Sequence, residues 1–255
     1  MKILITGGNG YIAKSLYNSL KNKHNITCIT RQDLDLTSFK EMNKFFRDKY
    51  FDVVIHCAVQ GGSRLREDLY KDMDVNLTMY YNLLHHRFCY NKLIHFGSGA
   101  EISNPESPYG LSKKVITNSI SEIENFYNIR VFAVFDENEL DTRFIKSNLK
   151  KYINREPIEI YQNKYMDFFY MEDLVSLVEF YILNENPPKE IDCVYPESKT
   201  LHHIANMINK LDEYKVEIKI NEPELGKEYI GKFADLGLEY IGLEKGIENV
   251  YNKLK

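Results

Sequence analysis

The sequence lacks the marks of several functional classes. Its four cysteines, Cys28, Cys57, Cys89 and Cys193, lie far apart, with no CxxC pair and no metal-ligand spacing. That excludes a disulfide-framed secreted domain and reads as reduced thiols of a cytoplasmic protein. Positive charge is not in excess: 33 Lys and Arg against 37 Asp and Glu leave a net charge of −4. Nothing in that balance draws the chain to nucleic acid or anionic lipid, so any phosphate site has to be local. No apolar run approaches the length of a membrane span. The N-terminal MKILITGG places one Lys and a few apolar residues before a Gly turn, too short for a signal peptide. Internal repeats and low-complexity linkers are missing too. His85-His86 and His202-His203 are adjacent pairs with no carboxylate or Cys at ligand spacing, so no metal site is expected.

What is present is ordinary globular composition, 44% hydrophobic and 27% charged, in 255 residues that fit one large domain or a main domain with a small lobe. Strand-like runs (KILIT, NITCIT, DVVIHCAV, KLIHFGS, RVFAVF) alternate with helical patterns (IAKSLYNSLKN, a segment carrying Phe39, Met42, Phe45 and Phe46, VNLTMYYNLLHHRF, and a long helix from Tyr109 to Phe126). Ser38 followed by Glu41 predicts a capping box. Alternation of this kind means a parallel sheet with helical crossovers.

TGGNGYIA follows the first strand and opens a helix. Gly7 allows the tight turn, Gly10 lets the backbone approach a pyrophosphate, and Ala13 sits where helix packs on strand. The helix N-terminus, with Asn9, Tyr11 and Ile12, offers N–H groups and a positive dipole to the diphosphate. The turn's place between a clear strand and a clear helix makes the signal specific for a dinucleotide. The fold class expected is therefore α/β, a Rossmann-type doubly wound parallel sheet over residues 1–135, with 166–195 returning to it. Residues 136–165 and 196–255 are expected to form a small α/β substrate lobe over the carboxyl ends of the strands.

NAD sites usually carry an acid about 20 residues beyond the turn. Here the stretch reads Ile29, Thr30, Arg31, which suits a 2′-phosphate and points to NADP, with NAD still possible. The plainer reading of Arg31 is a solvated loop charge. Asp35 and Leu36 are placed to contact the adenine. YGLSK sets Tyr109 and Lys113 four residues apart on one helical face. A Tyr titrates near ~10, and a cation one turn away favours its phenolate. Ser98 ends the preceding strand and can polarise a carbonyl. Proton donor, tuner and polariser beside a hydride carrier make a catalytic set.

With these motifs the chain resembles the extended short-chain dehydrogenase/reductases, the nucleotide-sugar epimerases, dehydratases and reductases. The resemblance runs from TGGNGYIA through VIHCAVQGG, DVN, FGSG and YGLSK to MDFFYMEDLV, nearly the whole chain. It implies further cofactor contacts at Cys57, Ala58, Val59 and Asn76, and from Tyr109 and Lys113 themselves. Within the family the chain is most similar to GDP-L-fucose synthase-type reductases, which use NADPH. It also departs from the pattern. Gly99 and Ala100 stand where dehydratases carry an Asp-Glu pair and fucose synthases a Cys, and DENELD lacks the synthase His. Glu101 is the one carboxylate nearby, and it reads as a solvated strand-end residue. Ala133 and Phe135-Asp136 replace an Asn and a Tyr-Gly on the substrate side. Met166 replaces the Arg that holds the substrate diphosphate, leaving Arg143 or Lys164 to take its place.

The function this implies is an NADPH-dependent reductase of a nucleotide-linked 4-keto-6-deoxy sugar, with Ser98, Tyr109 and Lys113 as catalytic residues. A nucleotide-sugar 4-epimerase with tightly bound NAD and a non-catalytic dinucleotide sensor are the alternatives. A homodimer formed through KKVITNSISEIENF and LTMYYNLL, and a cytoplasmic location, are further expectations.

Overall fold

The computed structural model describes residues 1–63 and 66–255. Along the chain run β1 (Lys2–Thr6), α1 (Tyr11–Leu20), β2 (Asn25–Ile29), α2 (Phe39–Phe46), β3 (Phe51–His56), α3 (Tyr70–His85), β4 (Tyr90–Ser98), α4 (Ala100–Ser103), α5 (Pro108–Ser121), β5 (Phe126–Val131) and β6 (Val134–Phe135). They are followed by α6 (Phe144–Ile153), β7 (Ile158–Gln162), β8 (Phe169–Tyr170), α7 (Met171–Leu183), β9 (Glu190–Cys193), α8 (Leu201–Ile208), β10 (Ile218–Glu222) and α9 (Leu243–Leu254). Two compact units result: Met1–Val131 with Val178–Ile191, and Phe132–Leu177 with Asp192–Lys255.

The main sheet has the order β2-β1-β3-β4-β5-β9. Its pairs β1–β2, β1–β3, β3–β4 and β4–β5 are all parallel. The doubly wound α/β architecture is thus present, and the order turns back at β1, where such sheets hold their ligands. Ile3, Leu4, Ile5, Val53, Val54 and Ile55 are fully buried, as their unbroken apolar runs require of strands covered on both faces. α1 lays Ala13, Leu16 and Leu20 on the sheet. On the flank formed by α3 and α5, Met79, Tyr80, Leu83, Ile116 and Ile120 share a core with Val54 and Leu93. The apolar faces of both helices are therefore occupied within the chain, and α3 leaves Tyr70 and Tyr81 exposed.

Three local readings change. α5 ends at Ser121 and β5 begins at Phe126, so ENFYNIR is not helical beyond the turn at Asn125, which takes φ 61°. Asn tolerates that left-handed conformation better than most residues, and the turn it makes leads directly into β5. Val134 and Phe135 leave the main sheet and pair with Phe169 and Tyr170 instead. Ser38 does cap α2 through the Glu41 N–H, but the Glu41 carboxylate accepts from the Asp35 N–H at 3.1 Å, so the box is only half formed.

In the second unit β7 and β10 pair in parallel. α6, α8 and α9 pack Leu149, Tyr152, Ile204, Ile208, Ile247 and Val250 into its core. The contact boundaries fall at 131 and at 178–191, where the sequence suggested 135 and 166–195.

Candidate active site

The turn after β1 is shaped by contact with its neighbours. Gly7 has φ +72°, and a Cβ there would lie 2.7 Å from the backbone of Ala58. No L side chain fits that position without moving the loop after β3. Gly10 caps α1 with extended backbone, no side chain caps the helix, and its first turn contains no acid. A Cβ on Gly10 would meet only the Gly7 carbonyl, so the helix N-terminus is open to an approaching anion.

Beside this turn lies a cleft of about 280 Å³ within the first unit. Among the residues expected to bind a dinucleotide, Gly7, Asn9, Gly10, Arg31, Asp35, Leu36, Cys57, Ala58 and Val59 line it. An open helix N-terminus, a crowded glycine and an apolar slot over β2 fit the diphosphate and adenosine of such a cofactor. Tyr11, Ile12 and Asn76 are not on the cleft wall. Asn76 is buried and clamps the loop after β3, accepting from the Gln60 N–H at 2.8 Å and donating to the Gln60 carbonyl at 2.9 Å. It also donates to Ser112 Oγ at 3.2 Å, tying that loop to α5.

The Arg31 environment differs from the sequence reading, which gave Asp35 to the adenine and left Arg31 free for a 2′-phosphate. Its guanidinium lies 3.4 Å from Asp35, with the Arg31 side chain 73% exposed. Asp35 also accepts from the Thr37 N–H and hydroxyl, which hold its carboxyl below the usual range. Asp33 accepts from both the N–H and hydroxyl of Thr30. The turn after β2 thus carries two acids with one cation.

Ser98, Tyr109 and Lys113 are not on the cleft wall either, but Ser98 closes β4 at the same C-terminal edge of the parallel sheet as the glycine turn after β1. Ser107 caps α5 by accepting from the Gly110 N–H at 3.0 Å, with Pro108 in the first turn, so Tyr109 enters at the helix start. Lys113 lies one turn on, its Nζ 5.8 Å from the centre of the Tyr109 ring. It is 4% exposed and donates to the Phe96 carbonyl at 2.6 Å. Burial brings its ammonium down to about 8, against a raising influence from Glu101. Ser98, also buried, accepts from the Ala100 N–H at 3.2 Å.

Two residues of this site escaped sequence reasoning. Gly62, at φ +69°, packs its backbone on the Tyr109 ring, and a Cβ would come within 2.7 Å of Cζ. Glu101 is not solvated but 5% exposed. Its carboxylate pairs with Arg130 and accepts from Thr117 Oγ1 at 2.7 Å. The signal for Glu101 was Arg130, an unexplained charge in the strand-like RVFAVF. Below them His56 and His95 are paired across β3 and β4. Burial, with the Lys113 charge, pulls His56 down to about 3 and His95 well below its ordinary value, so both rings are neutral.

On the second unit Met166 and Phe135 are core residues, which explains why neither carries polar chemistry. Arg143 caps α6 and stands 4.0 Å from Glu139. Burial pushes the Glu139 carboxyl up to about 8.

Comparisons with known proteins agree with the fold. A CDP-abequose synthase of Yersinia pseudotuberculosis is 20% identical over 240 residues, 84% of this chain and 85% of that protein. The structure of MlghC, a GDP-mannoheptose C4 reductase from Campylobacter jejuni with NADP bound, superposes with a TM-score of 0.83 at 17% identity, covering 99% of this chain and 98% of that one. A UDP-glucose 4-epimerase from Thermotoga maritima, solved with UDP-glucose, gives 0.81 at 16% identity, covering 100% and 98%. Residues 3–193 match the NAD dependent epimerase/dehydratase family, and the chain belongs to that family of extended short-chain dehydrogenase/reductases.

Proposed function

We propose that this protein is an NADPH-dependent ketoreductase of a nucleotide-linked 4-keto-6-deoxy sugar. The observation that carries the reading is the company Tyr109 and Lys113 keep. The strand end beside them offers Ser98, then Gly99 and Ala100, and the next carboxylate is bound in an ion pair with Arg130. One proton donor without a second acid/base group suits ketone reduction, whereas dehydration and two-centre epimerisation must also take a proton from carbon. One structural neighbour, the GDP-mannoheptose C4 reductase, was solved with NADP, and one relative is a CDP-abequose synthase.

In this reading Gly7, Asn9, Gly10, Tyr11 and Ile12 hold the diphosphate, and Arg31, Asp35 and Leu36 the adenosine. Cys57, Ala58 and Val59 form the floor, and Asn76 fixes the loop that carries them. The bound nicotinamide supplies hydride to the carbonyl carbon. Tyr109 Oη protonates the carbonyl oxygen, Ser98 Oγ donates to it beforehand, and Lys113 lowers the cost of the phenolate left behind. The second unit binds the nucleotide sugar, with Arg143 or Lys164 for its diphosphate.

The test is a reaction in D2O with NADPH and a nucleotide-4-keto-6-deoxyhexose, followed by proton NMR. One NADPH consumed per ketone, with C3 and C5 still protonated, is the expected result. Enzyme-dependent deuterium at either carbon overturns the single-step reading and directs attention to Glu139. NAD that co-purifies and is not consumed identifies a 4-epimerase, and NADPH binding without turnover a sensor.

A further inference from the structure

α4 carries Glu101 into the interior three residues after Ser98. Besides Thr117 and Arg130, its carboxylate accepts from Asn128 Nδ2 at 3.3 Å, and Arg130 reaches on to Glu190 at 2.5 Å. Thr117 is one turn beyond Lys113 on the same face of α5, and its bond to the carboxylate sets Glu101 beside that face. Buried charges are little screened and interact strongly. The other titratable groups facing Lys113 are Tyr109 on its own helix, Cys57 after β3, His56 on β3 and His95 on β4. Both histidines are neutral, and burial pushes the Cys57 thiol up. Glu101 is the carboxylate in this set.

We propose that Glu101 is a positioning residue for the Tyr109–Lys113 pair: it is the fixed counter-charge that keeps Lys113 cationic, and it ties α4, next to Ser98, to α5. Arg130 and Glu190 hold the carboxylate in place from the far side. The kinetic part of this rests on the ketoreductase reading, and the spectroscopic part does not.

The experiment compares wild type with Glu101→Gln, which keeps the size of the side chain and removes its charge. Lys113 is followed through its ε-carbon by NMR in the protein without substrate, and kcat/KM for ketone reduction is followed against pH. Burial brings the wild-type Lys113 ammonium down to about 8. Without Glu101 the ammonium loses its opposing charge, so its titration and the alkaline limb of kcat/KM move roughly one to two pH units lower. Glu101→Asp returns both toward the wild type. A folded Glu101→Gln protein with an unmoved Lys113 titration overturns the proposal, even if kcat falls, because lost packing alone lowers turnover without moving a titration. Should Glu101→Gln not fold, Thr117→Val provides the second test: it removes the hydroxyl that holds the carboxylate beside α5, so the Lys113 titration must move from its wild-type position. No movement there overturns the proposal as well. If the wild type reduces no ketone, both NMR titrations still decide the coupling, and only the function reading falls.

Discussion

The turn after β2 and the start of α5 each present one cation to the proposed cofactor, in opposite settings. Arg31 projects into solvent and shares its charge with Asp35. Lys113 is 4% exposed and bonded to a carbonyl. At the rim, water and salt weaken every charge contact, and an ion pair there is worth little. In the interior the same charge is hardly screened, and its neighbours decide its protonation. The lesson is that the chemistry of this chain should be sensitive to small changes around α5, while its cofactor preference should be shallow.

The largest effect is expected at Tyr109. Tyr109→Phe deletes one hydroxyl, so the fold and NADPH affinity should persist while reduction falls by about 10²–10⁴-fold, the usual contribution of a positioned acid. Steady-state kinetics with a cofactor titration will measure both, and near-normal turnover would break the contrast between the two regions. A smaller loss is expected from Gly62→Ala. The new methyl would enter the Tyr109 ring from a left-handed backbone position, so the ring must shift. A loss on the order of tenfold to a hundredfold in kcat with little change in NADPH affinity is the expected split. Weakened NADPH binding with normal kcat would mean the loop serves the cleft alone.

The smallest effect belongs to the rim. Arg31→Ala should reduce the preference for NADPH over NADH by about tenfold or less, because an exposed, shared cation contributes at the low end of charge-assisted contacts. Titrations at low and high salt sharpen the comparison, since the wild-type preference should shrink with ionic strength. A preference that ignores both the substitution and salt would remove Arg31 from the argument.

Much of the candidate site was legible because its residues are related at short range. Gly7 and Gly10 sit three residues apart between a strand and a helix, and Tyr109 and Lys113 are one turn apart. Periodicity and backbone conformation are enough to bring such residues together. Glu101 was misread because its partners come from further away: Thr117 on α5, and Asn128 and Arg130 on β5. The Arg31 neighbourhood was misread for a related reason. Asp33 and Asp35 were visible beside it, but only the folded turn gives Asp35 a guanidinium to meet.

The sequence by itself determined the alternation of strand and helix, the glycine turn, and the order of Ser, Tyr and Lys, since each follows from local periodicity or from a residue that alone tolerates its backbone. Tertiary structure decided what surrounds those residues. Burial of Lys113 beside a carboxylate, neutral histidines beneath it, a glycine pressed on the tyrosine ring and a solvent-exposed arginine at the rim all depend on strands that are distant in the chain. Desolvation and charge act through space, so they become defined only once the sheet has brought those strands side by side.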